Sequence, residues 1–134
     1  MLLSHAESGA ELLRLYMSEG AEFSITFIHS VNQSPVTEIY HIEQNQIVLA
    51  ALEFESFGAG MPTYLQPQQI LRHLPGGIMR IDNFERVLDS FVYLLDHSNQ
   101  MTLHFEDKSI PLSTLAEAGQ ALRFSFRRGG LFHL

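Results

Sequence analysis

The sequence predicts an all-β protein, a single-domain antiparallel β-sandwich or barrel with at most short helices. Short apolar stretches recur from end to end, the clearest of them alternate apolar and polar side chains, and Gly, Pro, Asn, Asp or Ser bound most of them. Even spacing of such stretches is the pattern of sandwiches and barrels.

The first strand is expected over residues 12–17, ended by Ser18-Glu19-Gly20. The second, over 23–31, places Phe23, Ile25, Phe27, His29 and Val31 on one face, because strand side chains alternate with a period of two. After the turn residues Asn32 to Pro35, the third strand, 36–42, gathers Val36, Glu38, Tyr40 and Ile42 on one face. The fourth is expected over 46–57. Further strands follow over 78–82, after Pro75-Gly76-Gly77, and over 91–96, 101–106 and 122–128. A helix competes for part of this span: Phe84, Val87, Leu88, Phe91, Leu94 and Leu95 fall at helical spacing, and Asp82 with Glu85 can form a capping box. Residues 113–119 suit one short helical turn, with Ser113 as its cap and Gly119 as its end.

One constellation stands out. A four-residue loop at Asn32 to Pro35 would pair Val31 with Val36, and the register would then set Ile25 opposite Ile42, Phe27 opposite Tyr40, and His29 opposite Glu38. Each polar residue interrupts an apolar stripe, and the pairing makes the two interruptions coincide. A carboxylate on a buried face costs several kcal/mol when left alone, roughly, and an imidazole beside it can hydrogen-bond or ion-pair it. The pair serves either to fix the hairpin register or to line a small polar site for a cation, a hydroxyl or a small acid.

With 134 residues, 46% of them apolar, the chain fits one domain spanning 1–134. Its formal charge of −7 has the wrong sign for neutralising phosphates, which argues against nucleic acid and anionic membranes as partners. The absence of cysteine excludes disulfides and thiolate metal sites. Met1 to Ala10 lack the basic start and apolar run of a secretory signal, and no stretch reaches the length of a membrane span.

The loop Gly58-Ala59-Gly60-Met61-Pro62 permits positive φ angles and close backbone approach, either as a corner between strands or as a nest of amides for an anion. It is no nucleotide motif, since Thr63 stands where a further glycine belongs and no lysine follows. The other histidines show no metal-binding helical spacing, so neither a metal nor another cofactor is expected. No serine sits in a nucleophile elbow. Glu53 and Glu55, on one strand face, read as solvated, and Arg127-Arg128 as a solubilising end.

His29-Ser30-Val31, Pro35-Val36, Glu38-Ile39-Tyr40 and Phe57-Gly58-Ala59-Gly60-Met61-Pro62, in that order and spacing, resemble a bacterial family catalogued as domain of unknown function eighteen-fifty. The specific motifs cover about a quarter of the chain. The resemblance favours strand over helix at 84–95. It also implies an accessory role in extracytoplasmic solute uptake, since the family is found beside genes for TRAP transporters of the TAXI type. A periplasmic or extracytoplasmic location is implied in the same way, although family members begin with an export segment that this sequence does not show. His29, Ser30, Pro35, Glu38, Tyr40, Gly58, Gly60 and Pro62 are therefore the candidate ligand-binding or structural residues. The function expected is binding or accessory, with a small molecule, an ion or a transporter component as partner. The alternative is a small enzyme in which Glu38 tunes His29 as a general base.

Overall fold

The computed structural model describes residues 1–29, 33–55 and 65–126. Among these the strands are β1 (Leu2–His5), β2 (Glu11–Arg14), β3 (Glu22–Ile28), β4 (Pro35–Glu43), β5 (Gln46–Glu55), β6 (Ile70–Leu74), β7 (Ile78–Asp82), β8 (Arg86–Leu88), β9 (Ser90–Leu94), β10 (Thr102–Phe105), β11 (Lys108–Pro111) and β12 (Ala121–Ser125). They form a four-stranded sheet in the order β2-β1-β12-β9 and an eight-stranded sheet in the order β11-β10-β3-β4-β5-β7-β6. The eighth member, β8, pairs with β5. The fold is all-β and antiparallel, as the alternation and turn spacing predict.

The two sheets meet across the main core. Leu3, Leu122 and Phe124 from the small sheet, and Phe23, Ile25, Tyr40, Ile42, Ile47 and Leu103 from the large one, are almost wholly buried in one cluster. At its centre four rings stack in sequence from one sheet to the other: Phe23 on Tyr40 with centroids 5.1 Å apart, Tyr40 on Phe91 at 4.9 Å, and Phe91 on Phe124 at 4.9 Å. The rings lie within 13° of parallel. Tyr93 meets Phe91 and Phe124 edge-on. Each such pair adds about 0.5–1.5 kcal/mol beyond the area it buries.

Strand β5 solves a patterning problem. Ile39 faces Ala51 but Tyr40 faces Leu49, so Ala50 is an extra residue in a bulge. The bulge shifts the alternation by one position. Ile47 and Leu49 before it, and Leu52 and Phe54 after it, therefore all share the inner side with Tyr40, Glu38 and Val36. Glu53 turns to the other side, where Arg80 pairs with it at 2.8 Å. Beyond the bulge, Val36, Phe54 and Ile81 form a second, smaller buried cluster with Phe27, Leu52, Met79 and Phe84 against it.

The competing helix does not form. Asn83 and Glu85 both adopt positive φ (65° and 51°), which a right-handed helix forbids, and the apolar residues after them serve β8 on the large sheet and β9 on the small one. The expected turn near Ser113 is a 3-10 turn, Leu112–Thr114, and no side chain caps it. The structure adds β1, β6, β8 and β11, which are too short or too polar to stand out as apolar stretches. Between β4 and β5 the residues Gln44 and Asn45 both take positive φ (52° and 62°), as a two-residue hairpin turn of type I′ requires.

Phe124, fully buried, ends the ring stack, whereas Val92 on the opposite face of β9 is 44% exposed. Phe124→Ala is expected to cost about 3–5 kcal/mol of unfolding free energy. Val92→Ala should cost no more than about 0.5 kcal/mol. Urea denaturation followed by tyrosine fluorescence measures both.

Candidate functional site

The β3–β4 hairpin places Glu38 and Tyr40 on the inner face, as their alternation predicts, but in a different register. Glu38 lies opposite Ile25, Tyr40 opposite Phe23 and Val36 opposite Phe27. The last ladder pair is Ile28 with Pro35, so the connection is longer than a four-residue loop. His29 stands just beyond β3, where its N–H donates to Ser34 O at 2.8 Å and its carbonyl accepts from Gln33 N–H at 2.9 Å. The expected opposition of His29 and Glu38 is thus corrected. The physical reason is parity: the observed register differs from the expected one by an even number of residues, which leaves every side chain on its predicted face. It also brings Phe23 over Tyr40. Ser30, Gly58, Gly60 and Pro62 lie outside the described residues.

In place of an imidazole, two phenols attend Glu38. Tyr40 Oη donates to Glu38 Oε1 at 3.0 Å, and Tyr40 and Tyr93 hydroxyls are 3.0 Å apart. Tyr40 spends its single proton on the carboxylate, so Tyr93 is the donor in the second bond. A chain therefore runs from Tyr93 through Tyr40 to Glu38, joining β9 of the small sheet to β4 of the large one. Burial pushes the Glu38 carboxyl above its usual range, against the pull of the Tyr40 hydrogen bond and the Arg86 charge. Burial, then the Glu38 charge, raise the Tyr40 hydroxyl as well, which keeps it a neutral donor.

Only half of the carboxyl is engaged. Glu38 Oε2 has no hydrogen-bond partner among the described residues, and the residue as a whole is half-buried. Glu38 thus offers one oxygen held by a hydroxyl and one acceptor without a partner among the described residues.

Other charged groups are accounted for differently. Arg80 bridges Asp82 and Glu53 at 2.8 Å each, and Arg72 binds Asp82 at 2.7 Å. On the outer face of the large sheet His41, Glu43 and Glu85 bring one ligand-type atom each within 4.8 Å of the others. Sequence spacing did not reveal this group, since Glu85 arrives from the distant connection between β7 and β8. Exposed carboxylates gather this way without an ion, and nothing further at this place points to one. Tyr93 was also invisible beforehand, because its role depends on how the two sheets face each other.

Titration of Glu38 fixes a pH dependence. A carboxyl whose folded pKa is raised stabilises the fold fully below its unfolded pKa, and that contribution is lost as pH rises through the folded value. Glu38→Gln, which keeps an acceptor for Tyr40, is therefore expected to gain stability relative to the wild type as pH increases from 4 upward, through the ordinary carboxylate range of about 4.3 and beyond. Urea midpoints of both proteins at pH 4 and pH 7 measure it; a difference that does not grow with pH contradicts the assignment. Tyr40→Phe keeps the ring stack but removes both hydrogen bonds, and is expected to cost about 1–3 kcal/mol in the same assay.

A protein-family comparison matches residues 23–112 to Domain of unknown function (DUF1850). No curated protein and no solved structure matches the chain. Among the described residues no helix is long and apolar enough to cross a membrane. The matched span takes in β3, β4 and β5 with Glu38, Tyr40 and Tyr93, and covers well over half of the sequence: the chain belongs to the DUF1850 family.

Proposed function

We propose that the chain is a non-enzymatic binding or accessory module whose small polar site is built on the Glu38 carboxyl. The observation that carries this reading is the half-engaged carboxyl itself: Oε1 is positioned by Tyr40, which Tyr93 positions in turn, while Oε2 of this half-buried side chain has no hydrogen-bond partner among the described residues. A carboxyl held in this way needs no rearrangement to accept from a hydroxyl or ammonium or to coordinate a cation. When protonated, as its raised pKa favours, it can donate to a small acid. Perturbed carboxyls of this kind are enriched at functional sites.

The enzymatic alternative required Glu38 to tune His29 as a general base. The ladder sets Ile25, not His29, across from Glu38, which removes the geometry that role rested on. Membership of the family supports the accessory role in TRAP-type solute uptake that the sequence resemblance implies, with a transporter component or its solute as the partner. His29 and the Gly58 to Pro62 segment belong to this proposal as further contributors to the site.

Thermal unfolding of the wild type, His29→Ala and Glu38→Gln, with and without a panel of divalent cations and small organic acids, tests it. One compound is expected to raise the wild-type melting temperature, since binding to the native state alone stabilises it, and to lose that effect in Glu38→Gln. A panel without effect, or an effect that persists in Glu38→Gln, would falsify the carboxyl as the site.

A further inference from the structure

A second concavity lies away from Glu38. The connection from β9 to β10 and the segment that follows β11 form the walls of a cleft of about 760 Å³. Small-molecule sites commonly occupy about 300–1,000 Å³. The walls are tied to each other and to the sheet. Leu95 N–H donates to Gln120 O at 2.9 Å, Gly119 N–H to Leu95 O at 2.8 Å and Leu112 N–H to Met101 O at 2.9 Å. Asn99 O accepts from Ile28 N–H at 2.7 Å, and Asn99 Nδ2 donates to Leu94 O at 3.1 Å. Little ordering is left for a ligand to impose.

The charged groups of the lining are of one sign. Its most deeply buried residues, Leu95 and Met101, are apolar and 4% and 5% exposed, and beside them Asn99 contributes a fully buried Oδ1 acceptor that has no hydrogen-bond partner among the described residues. Its exposed part carries the carboxylates of Asp96 and Glu117 and the imidazole of His97, and no lysine or arginine lines it. Asp96 Oδ1 accepts from Ser98 N–H at 2.8 Å and Ser98 Oγ at 2.9 Å, bonds that hold this carboxyl below its usual range and leave Oδ2 unengaged among the described residues. The Glu117 carboxylate has no ion pair or hydrogen bond among them. In a chain of net charge −7, a concave wall with two such groups focuses negative potential.

We propose that this cleft binds a small organic cation, with an ammonium or amidinium head at Asp96 and Glu117 and a short aliphatic body over Leu95 and Met101. The site shares no residue with the Glu38 network and stands independently of the function proposed above.

The test is an NMR titration of the isotope-labelled chain with 1,4-diaminobutane, and separately with glutarate as an anion of similar length. Saturable shifts at the amides of Asp96, Thr102 and Glu117 are expected with the diamine and not with glutarate. Affinity should fall roughly ten-fold in Glu117→Gln, the loss of one charge-assisted contact, and stay unchanged in Glu38→Gln. Asp96→Asn serves as the second variant should Glu117→Gln disturb the fold. The proposal fails if the diamine gives no saturable response, if glutarate gives an equal one, or if correctly folded cleft variants bind as the wild type does. Shifts confined to Glu38, Tyr40 and Tyr93 would likewise overturn the cleft, while favouring the carboxyl site.

Discussion

Stacking of four aromatic rings through the centre of the sandwich sets the distance and alignment of the two sheets, and the polar site is built on that spacing. Tyr40 sits between Phe23 and Phe91, buried to within 2% of its surface. Its ring is fixed by apolar contact on both faces, so its hydroxyl has one place to point. That place is the Glu38 carboxyl on one side and Tyr93 on the other. Apolar packing therefore fixes the polar geometry, and the hydrogen bonds need not hold the rings.

The same arrangement explains how a carboxyl survives on an inner face. A buried ionised group without partners costs far more than one hydrogen bond returns. Glu38 reduces that cost in two ways: Tyr40 shares its charge, and its raised pKa moves it toward the neutral form. Its place between the main core and the smaller cluster around Val36, Phe54 and Ile81 leaves the side chain half-buried rather than sealed in either. The position is a compromise between burial, which perturbs the group, and partial exposure, which lowers the cost of keeping it.

Much of the fold was legible in the sequence because it depends on local alternation. Phe23, Ile25 and Phe27 against Val36, Glu38, Tyr40 and Ile42 were placed on the correct face, and β7 begins and ends where its turn residues indicate. Pairing register was not legible. An even slip preserves every face, so the His29–Glu38 opposition and the observed Ile25–Glu38 one fit the same pattern of side chains. The helical spacing from Phe84 to Leu95 misled for a related reason: β8 and β9 bury residues against two different sheets, which blurs a period of two into something like 3.6. Glu38 and Tyr40 could be singled out as members of the candidate site. Tyr93 and the cleft beside Asp96 could not, since they exist only once distant segments meet.

The small sheet also carries a consequence for how the chain reaches this fold. Its central pair joins β1 to β12, with Leu3 opposite Phe124, so it stitches together the two ends of the described chain. Contacts so distant in sequence must overcome a large loop-closure entropy before they return any energy. The hairpins β3–β4 and β4–β5 have no such delay. During synthesis the large sheet can therefore assemble while its aromatic face, Phe23 and Tyr40 included, still waits for the strands that cover it. That interval exposes the chain to self-association and to chaperones, and its length is set by how soon β12 emerges.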